Sequence, residues 1–413
     1  MLFLPAETTM SSPYFPPEIL DYIADLLHDK SKILGRCCLV SKSWVPRTRK
    51  HLFADISFRS PVDLKLWKKM FPDRSTSPAH HTRTLLVGCP EVVTVADAGE
   101  GGWIQTFSRV VKLVVRGGSA DASNAEVSLT PFHGFSPVLK SLRVSLNSLQ
   151  NSQIFDLISS LPVLEDMTVS AIVIETDDVL NLDVSPSAVQ PSTSPPFTGT
   201  LDLTLALGVE HVTRRLLGLS SGVHFRRLLL PWSHEGDLRW LNALIAGCSG
   251  TLECLTVAYY LRCTPTWFLP LTRNSPSFVG DSGPASIDLS KATKLRDAVF
   301  LLSSPNVRWI TLALRTITPQ HRYLQRISIH MQYHLALPRG ADIRRTIGES
   351  DFNRWLDLDR LLVQFWESRL IRPKIVYTPL GGGMSGSHNW VEYLLPEMTE
   401  RGIIDWGPGR IVG

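Results

Sequence analysis

The segment Gly381-Gly382-Gly383-Met384-Ser385-Gly386 has the spacing G-x-G-x-x-G and comes after an apolar run, Ile375-Val376-Tyr377, that reads as a strand. Glycines at that spacing let a backbone approach a pyrophosphate at a helix N-terminus. The chemistry also needs a helix next, a second strand, and an acid about 20 residues on. Pro396 interrupts the next segment and the sequence ends at Gly413, so no dinucleotide site is expected. His80-His81 offers two imidazoles, but no carboxylate stands beside them to complete a metal set. The six cysteines are Cys37, Cys38, Cys89, Cys248, Cys254 and Cys263; none form a C-x-x-C pair. A nucleophilic cysteine must be exposed and held as thiolate. Cys248, at a helix edge, and Cys254, in a strand, read instead as buried, and Cys37-Cys38 as small apolar residues inside a helix. There is no G-x-x-x-x-G-K-[ST] loop, no H-E-x-x-H and no G-x-S-x-G elbow. The expectation is a non-enzyme with no catalytic residue, no metal and no cofactor.

The elements that carry these residues come from a chain of 413 residues, long enough for two or three domains. Hydrophobic residues make up 44% and charged residues only 19%, which allows a large core and suggests buried interfaces. A net charge of +4 over this length gives no argument for nucleic acid. The Met-Leu-Phe-Leu-Pro start lacks a signal peptide's basic region and long apolar run, and no apolar run approaches membrane-spanning length. No Asn-x-Ser/Thr sequon occurs. These features favour a reducing compartment, cytoplasm or nucleus, with no membrane partner.

The stretch Pro16 to Phe53 organises the rest. Two prolines stand where a helix begins, and Glu18 sits in its first turn, where a negative charge suits the helix dipole. Ile19, Leu20, Ile23, Leu26 and Leu27 recur at helical spacing. A second apolar set comprises Ile33, Leu34, Cys37, Cys38, Leu39 and Val40, and Ser41 reads as the N-cap of a third helix carrying Trp44 and a basic end. Three short helices in about 40 residues cannot bury all of these side chains by themselves. A partner that covers the remainder is implied.

The pattern resembles an F-box. The matching residues are Pro16-Pro17-Glu18-Ile19-Leu20, Ile23 and Leu27, then Cys38-Leu39-Val40-Ser41-Lys42-Ser43-Trp44, and finally Leu52-Phe53. The family usually opens Leu-Pro; Phe15-Pro16 keeps an apolar anchor. The resemblance implies binding to a Skp-family adaptor and, through it, to a cullin-RING ubiquitin ligase. Phe15, Pro16, Pro17, Ile19, Leu20, Ile23, Leu27, Leu34, Leu39, Val40 and Trp44 would form the adaptor contact. The plain alternative is a helical hairpin that packs only on its own chain.

Beyond the opening stretch, Asp55 to Phe58 reads as a strand, Val62, Leu66, Trp67 and Met70 as an amphipathic helix, and Ser75 to His81 as loop. A signature then recurs: apolar, two residues, apolar, one residue, apolar. It fits Val110, Leu113, Val115; Leu139, Leu142, Val144; Leu164, Met167, Val169; Phe225, Leu228, Leu230; Leu252, Leu255, Val257; Leu295, Ala298, Phe300; and Leu324, Ile327, Ile329. Where neighbours are not separated by an insertion, the starts recur at roughly 25 to 29 residues, within the leucine-rich-repeat period of about 20–29. Leu201, Leu203 and Leu205 alternate as a further strand. Helical spacing fills the gaps: Ile154 to Leu161, Val212 to Leu219, Leu238 to Ile245, and Val307, Ile310, Leu314, Ile317. Asp183 to Thr200 and Pro270 to Pro284 read as loop insertions.

Alternating strand and helix predict a right-handed parallel coil with apolar-x-apolar positions facing the core. The Asn of the common leucine-rich consensus is absent, so an ordinary α/β domain stays open. The layout also resembles the leucine-rich-like C-terminal region of fungal F-box proteins. A long helix, Phe352 to Leu370, and the strand after it are expected to cap the coil; the tail with Trp390, Tyr393, Leu394, Leu395 and Trp406 packs back or hangs free.

The expected class is α/β: an N-terminal three-helix F-box followed by an irregular leucine-rich-repeat-like solenoid with a parallel curved sheet. The expected divisions are 13–58 F-box, 59–104 connecting segment, 105–380 repeat domain and 381–413 Gly-rich tail. The function expected is a substrate-recognition adaptor of an SCF-type ligase. Its partners would be a Skp-family adaptor, a cullin through it, and a protein substrate held by the repeats. A scaffold that binds the adaptor outside any ligase is the alternative.

Overall fold

The computed structural model describes residues 16–406, apart from 74, 89–92, 94–102, 118–128, 134, 136, 176–196, 204–208, 220–221, 233–234, 260–285, 303–305, 332–342, 370, 372 and 378–388. Phe15, the Gly381–Gly386 run, Cys89, Cys263, most of the 183–200 segment and the Pro270–Pro284 loop lie outside the described residues. The chain divides into two compact units, Met1–Leu139 and Lys140–Gly413.

The first unit opens with helices α1 (Pro17–Leu26), α2 (Ser31–Val40) and α3 (Val45–Leu52). Pro17 occupies the first turn of α1 with Glu18 beside it, as the sequence predicts. The third helix departs from expectation at its start. Ser41 accepts from the Ser43 N–H, but it caps a one-turn 3₁₀ segment, Lys42–Trp44, and α3 proper begins at Val45 with Pro46 in its first turn. Proline's missing N–H is harmless only there, which fixes the joint between the two helical types.

Strand β1 (Asp55–Phe58), helix α4 (Pro61–Met70) and strands β2 (Thr84–Val87) and β3 (Lys112–Arg116) complete the framework of this unit. Strand β1 pairs parallel with β2, and β2 with β3. Helix α4 carries a reciprocal capping box between Ser60 and Asp63. Its inward face differs from the expected stripe: Leu64 and Trp67 are buried, while Val62, Leu66 and Met70 are exposed. Trp67 sets that rotation. Its ring lies 4.6 to 6.2 Å from those of Phe53, Phe58, Phe71 and Phe107, one aromatic cluster tying α3, β1 and α4 together. Edge and tilted pairs at such spacings add about 0.5–1.5 kcal/mol each beyond burial. The segment Ser75–His81, expected as loop, ends in a short 3₁₀ turn, Pro78–His81.

The second unit contains β4 (Ser141–Gln150), α5 (Asn151–Ser159), β5 (Asp166–Glu175), β6 (Thr200–Asp202), α6 (Val209–Leu217), β7 (Arg227–Trp232), α7 (Glu235–Gly247), β8 (Cys254–Tyr259) and β9 (Asp297–Leu302). Helix α8 (Arg308–Arg315), β10 (Arg326–Met331), α9 (Ile343–Ile347), α10 (Glu349–Arg369), β11 (Lys374–Tyr377), α11 (Asn389–Leu394), α12 (Pro396–Glu400) and β12 (Asp405–Trp406) come after them. Every strand pairs parallel with the next in sequence, from β4 to β12. Each connection therefore advances the sheet by one strand.

The register explains the apolar signature. Leu142, Met167, Leu201, Leu228, Leu255, Ala298 and Ile327 stand side by side, and Val144, Val169, Leu230, Val257, Phe300, Ile329 and Ile375 form the next inward row. All are buried, and so are the leading positions Leu164, Phe225, Leu252, Leu295 and Leu324. Their sequence neighbours Thr168, Leu229, Thr256 and Val299 are half-buried, whereas Ser328 is buried, so the second face is less covered than the first along most of these strands. A repeated backbone device starts the strands. One carbonyl accepts two successive N–H groups of the next strand at Ala54, Arg83, Lys140, Gly199, Arg226, Glu253 and Arg296. Gly199 is required at its position, since a Cβ there would lie 2.1 Å from Asp166 Oδ1, which accepts the Thr200 N–H at 2.6 Å.

The C-terminal segment packs back. Leu394, Leu395, Met398, Ile403 and Ile404 are buried, and β12 extends the sheet beside β11. On α10, Asp359 is buried and accepts the N–H groups of Glu397 (2.7 Å) and Met398 (3.1 Å), capping α12. The chain is thus α/β with a parallel sheet in each unit.

Candidate functional site

On α1 the faces are sharply divided. Ala24 is buried, and Asp25 points at α3. The Asp25 carboxylate accepts two hydrogen bonds from Arg47, one from Nε at 2.6 Å and one from Nη2, and a third from His51 Nε2 at 2.7 Å. Arg47 is the first cause and His51 the second of a carboxyl held well below the usual carboxylate range. The bidentate pair fixes the rotation of α1 against α3. At 100° per residue, the face opposite Ala24 and Asp25 then carries Ile19, Tyr22 and Leu26. Those side chains are 45%, 65% and 61% exposed.

On α2, Leu34 is buried, and Cys38 meets the Thr48 hydroxyl at 2.8 Å. These contacts hold α2 against α3. The remaining apolar residues point elsewhere: Leu39 is 86% exposed and Val40 76%, with Ile33 also exposed. Large apolar side chains this open at a helix end contribute little to the fold of their own chain.

The sequence-predicted contact residues therefore separate. Pro16, Pro17, Ile19, Leu39 and Val40 are exposed; Leu20, Ile23, Leu27 and Trp44 are half-buried; Leu34 lies inside. Leu34 joins the helices to one another and is closed to a partner. Tyr22, Leu26 and Ile33 are exposed apolar residues outside the predicted contact set. Helical spacing alone cannot say which edge of a wide stripe faces inward. The Asp25, Arg47 and His51 cluster has no local signal either, because the partners are 22 and 26 residues apart.

Two cysteines of the second unit carry shifted thiols. Cys248 is buried and its thiol is pushed up to about 12 by desolvation. Burial, and after it the charge of Asp297, also raises Cys254, whose thiol donates to Asp297 Oδ2 at 3.5 Å. Both shifts disfavour the thiolate. Among the described residues there is no group of three His, Cys, Asp or Glu placed to hold a metal ion. Nor is any described helix long and apolar enough to cross a membrane. No protein-family model matches this chain, and no curated protein matches it.

Proposed function

We propose that the chain is an F-box-type substrate adaptor of an SCF-type cullin-RING ubiquitin ligase. In this reading α1, the end of α2 and the 3₁₀ turn dock a Skp-family adaptor, and the second unit, read as an irregular leucine-rich-repeat-like solenoid, holds the protein to be ubiquitinated. The observation that carries it is the exposure of Ile19, Leu39 and Val40 in the positions where the F-box resemblance expects apolar contacts. An isolated chain gains nothing from leaving such residues in water, whereas a partner helix laid across them gains burial. The consecutive parallel strands and their repeated carbonyl device support the solenoid reading.

Such a protein acts by proximity. It raises the effective concentration of a target beside a loaded conjugating enzyme and supplies no nucleophile. The raised thiols of Cys248 and Cys254 accord with that role. Calorimetry with the full chain and a purified Skp-family adaptor tests the first step. Submicromolar binding is expected, and the Pro17→Ala, Ile19→Ala, Leu20→Ala triple change should weaken it by about a hundredfold or more. Undiminished binding by that variant, or no binding by the parent, refutes the assignment. A cullin in a native pull-down supports the ligase reading, and its absence beside a captured Skp-family protein supports a scaffold.

A further inference from the structure

In the first unit, the backbone gathers cationic side chains along the starting edge of the sheet. Ala54 O accepts the N–H groups of Arg83 and Thr84, and Arg83 O accepts those of Val111 and Lys112. Helix α3, ending just before Ala54, carries Arg49 and Lys50 in its last turn. The 3₁₀ turn Pro78–His81, which packs against α3, ends just before Arg83. Arg109 stands just before β3. Three non-contiguous segments thus deliver Arg49, Lys50, Arg83 and Arg109 to one edge. Among the described residues no ion pair engages any of the four; Asp55, at the start of β1, is an acid on that edge and forms no ion pair there either.

Two imidazoles lie among these cations, their ring centroids 3.9 Å apart. His80 donates its Nδ1–H to the Ser77 carbonyl at 2.9 Å, because a carbonyl can only accept. Its Nε2 is left pointing away from that bond. Burial and then the charges of His80, Arg49, Arg109 and Lys50 lower the pKa of His81, which places those groups around one ring. Uncompensated like charge costs stability wherever it collects. A bound anion would offset that cost.

The geometry points to a binding site for a phosphate dianion at the edge formed by Arg49, Lys50, His80, Arg83 and Arg109. A dianion suits the site better than a single carboxylate, since Arg49, Lys50, Arg83 and Arg109, with Lys112 at the start of β3, outnumber the acid Asp55 at the start of β1. Arginine forks match phosphate oxygens, and His80, whose Nδ1–H is taken by Ser77, adds an Nε2–H donor only as the imidazolium. Lys50, His80, Arg83 and Arg109 are exposed, so the site is an open edge. That favours a phosphate displayed on another protein chain, whose flanking residues add contacts, over the free ion. The site is independent of the apolar face of α1 and α2.

The test uses the full chain. A short uncharged peptide carrying one phosphoserine, its unphosphorylated twin, and inorganic phosphate are titrated at about 0.05 and 0.2 M salt, a range over which phosphate contacts weaken measurably. The phosphopeptide should bind at least about tenfold tighter than its twin and weaken with salt. Arg49→Gln with Arg109→Gln should remove that difference, whereas Arg49→Lys with Arg109→Lys, which keeps the charge but loses the forks, should keep part of it. Matching thermal melts confirm folding, and Leu39→Ala should leave phosphate binding unchanged. Inorganic phosphate binding as tightly as the phosphopeptide supports the site with the free ion as its source. No preference for phosphate, or a preference that survives the double Gln variant, overturns the proposal.

Discussion

Replacing Leu39 and Val40 by Ala gives the sharpest test of the apolar face, because folding and binding should respond in opposite ways. The changes remove three and two carbons, each worth about 0.8 kcal/mol when buried. Leu39 and Val40 are 86% and 76% exposed, so nearly all of that contribution is unspent in the isolated chain. Folding stability should therefore move by less than about 0.5 kcal/mol. Complete burial under a partner would instead forfeit about 2 kcal/mol at Leu39 and about 1 kcal/mol at Val40, roughly two hundredfold in affinity. Leu34→Ala is the mirror image. Leu34 is fully buried, and its truncation should cost about 2–5 kcal/mol of stability. The assays are denaturant unfolding of the free protein and calorimetry against a purified Skp-family adaptor. If the double variant loses stability as Leu34→Ala does, the two side chains pack within their own chain. If it keeps both stability and full affinity, the adaptor does not use this face.

Asn242 on α7 donates to the Ser286 carbonyl and accepts the Asp288 N–H, both at 2.8 Å, pinning the segment that carries buried Ile287 and Leu289. Asn242→Ala removes both bonds, each worth about 0.5–1.5 kcal/mol net, and should cost about 1–3 kcal/mol in urea unfolding. Asp359 has its carboxyl raised to about 6, first by desolvation. The folded chain then holds a proton that the unfolded chain releases above about pH 4. Its contribution to stability should therefore fall between about pH 4 and pH 6, by at most about 3 kcal/mol, and stay level above. Asp359→Asn should flatten that interval in melts across pH. A variant with all six cysteines replaced by Ser should still support ubiquitination of a bound target in a reconstituted ligase, at matched folding and adaptor binding. Loss of activity under those conditions would reveal a catalytic thiol.

The helical starts, the strands and much of the core were legible in the sequence because they depend on local patterns. Prolines at Pro16 and Pro17 begin α1 since only a first turn tolerates them. Leu142, Leu255 and Ile327 are buried in parallel strands because apolar-x-apolar spacing has one face to hide. Strand β2 was not legible: Thr84-Leu85-Leu86-Val87 is too short to separate from loop until β1 and β3 pair on either side. The return of the C-terminal segment was likewise open, since Asp359 and its partners in α12 lie 38 and 39 residues apart. The rotation of α4 was decided by the aromatic cluster around Trp67, and that of α1 by the Asp25–Arg47 pair. Sequence by itself determined which residues are apolar and at what period. Tertiary structure decided which of them the chain covers, because burial depends on side chains that meet only after distant segments have packed.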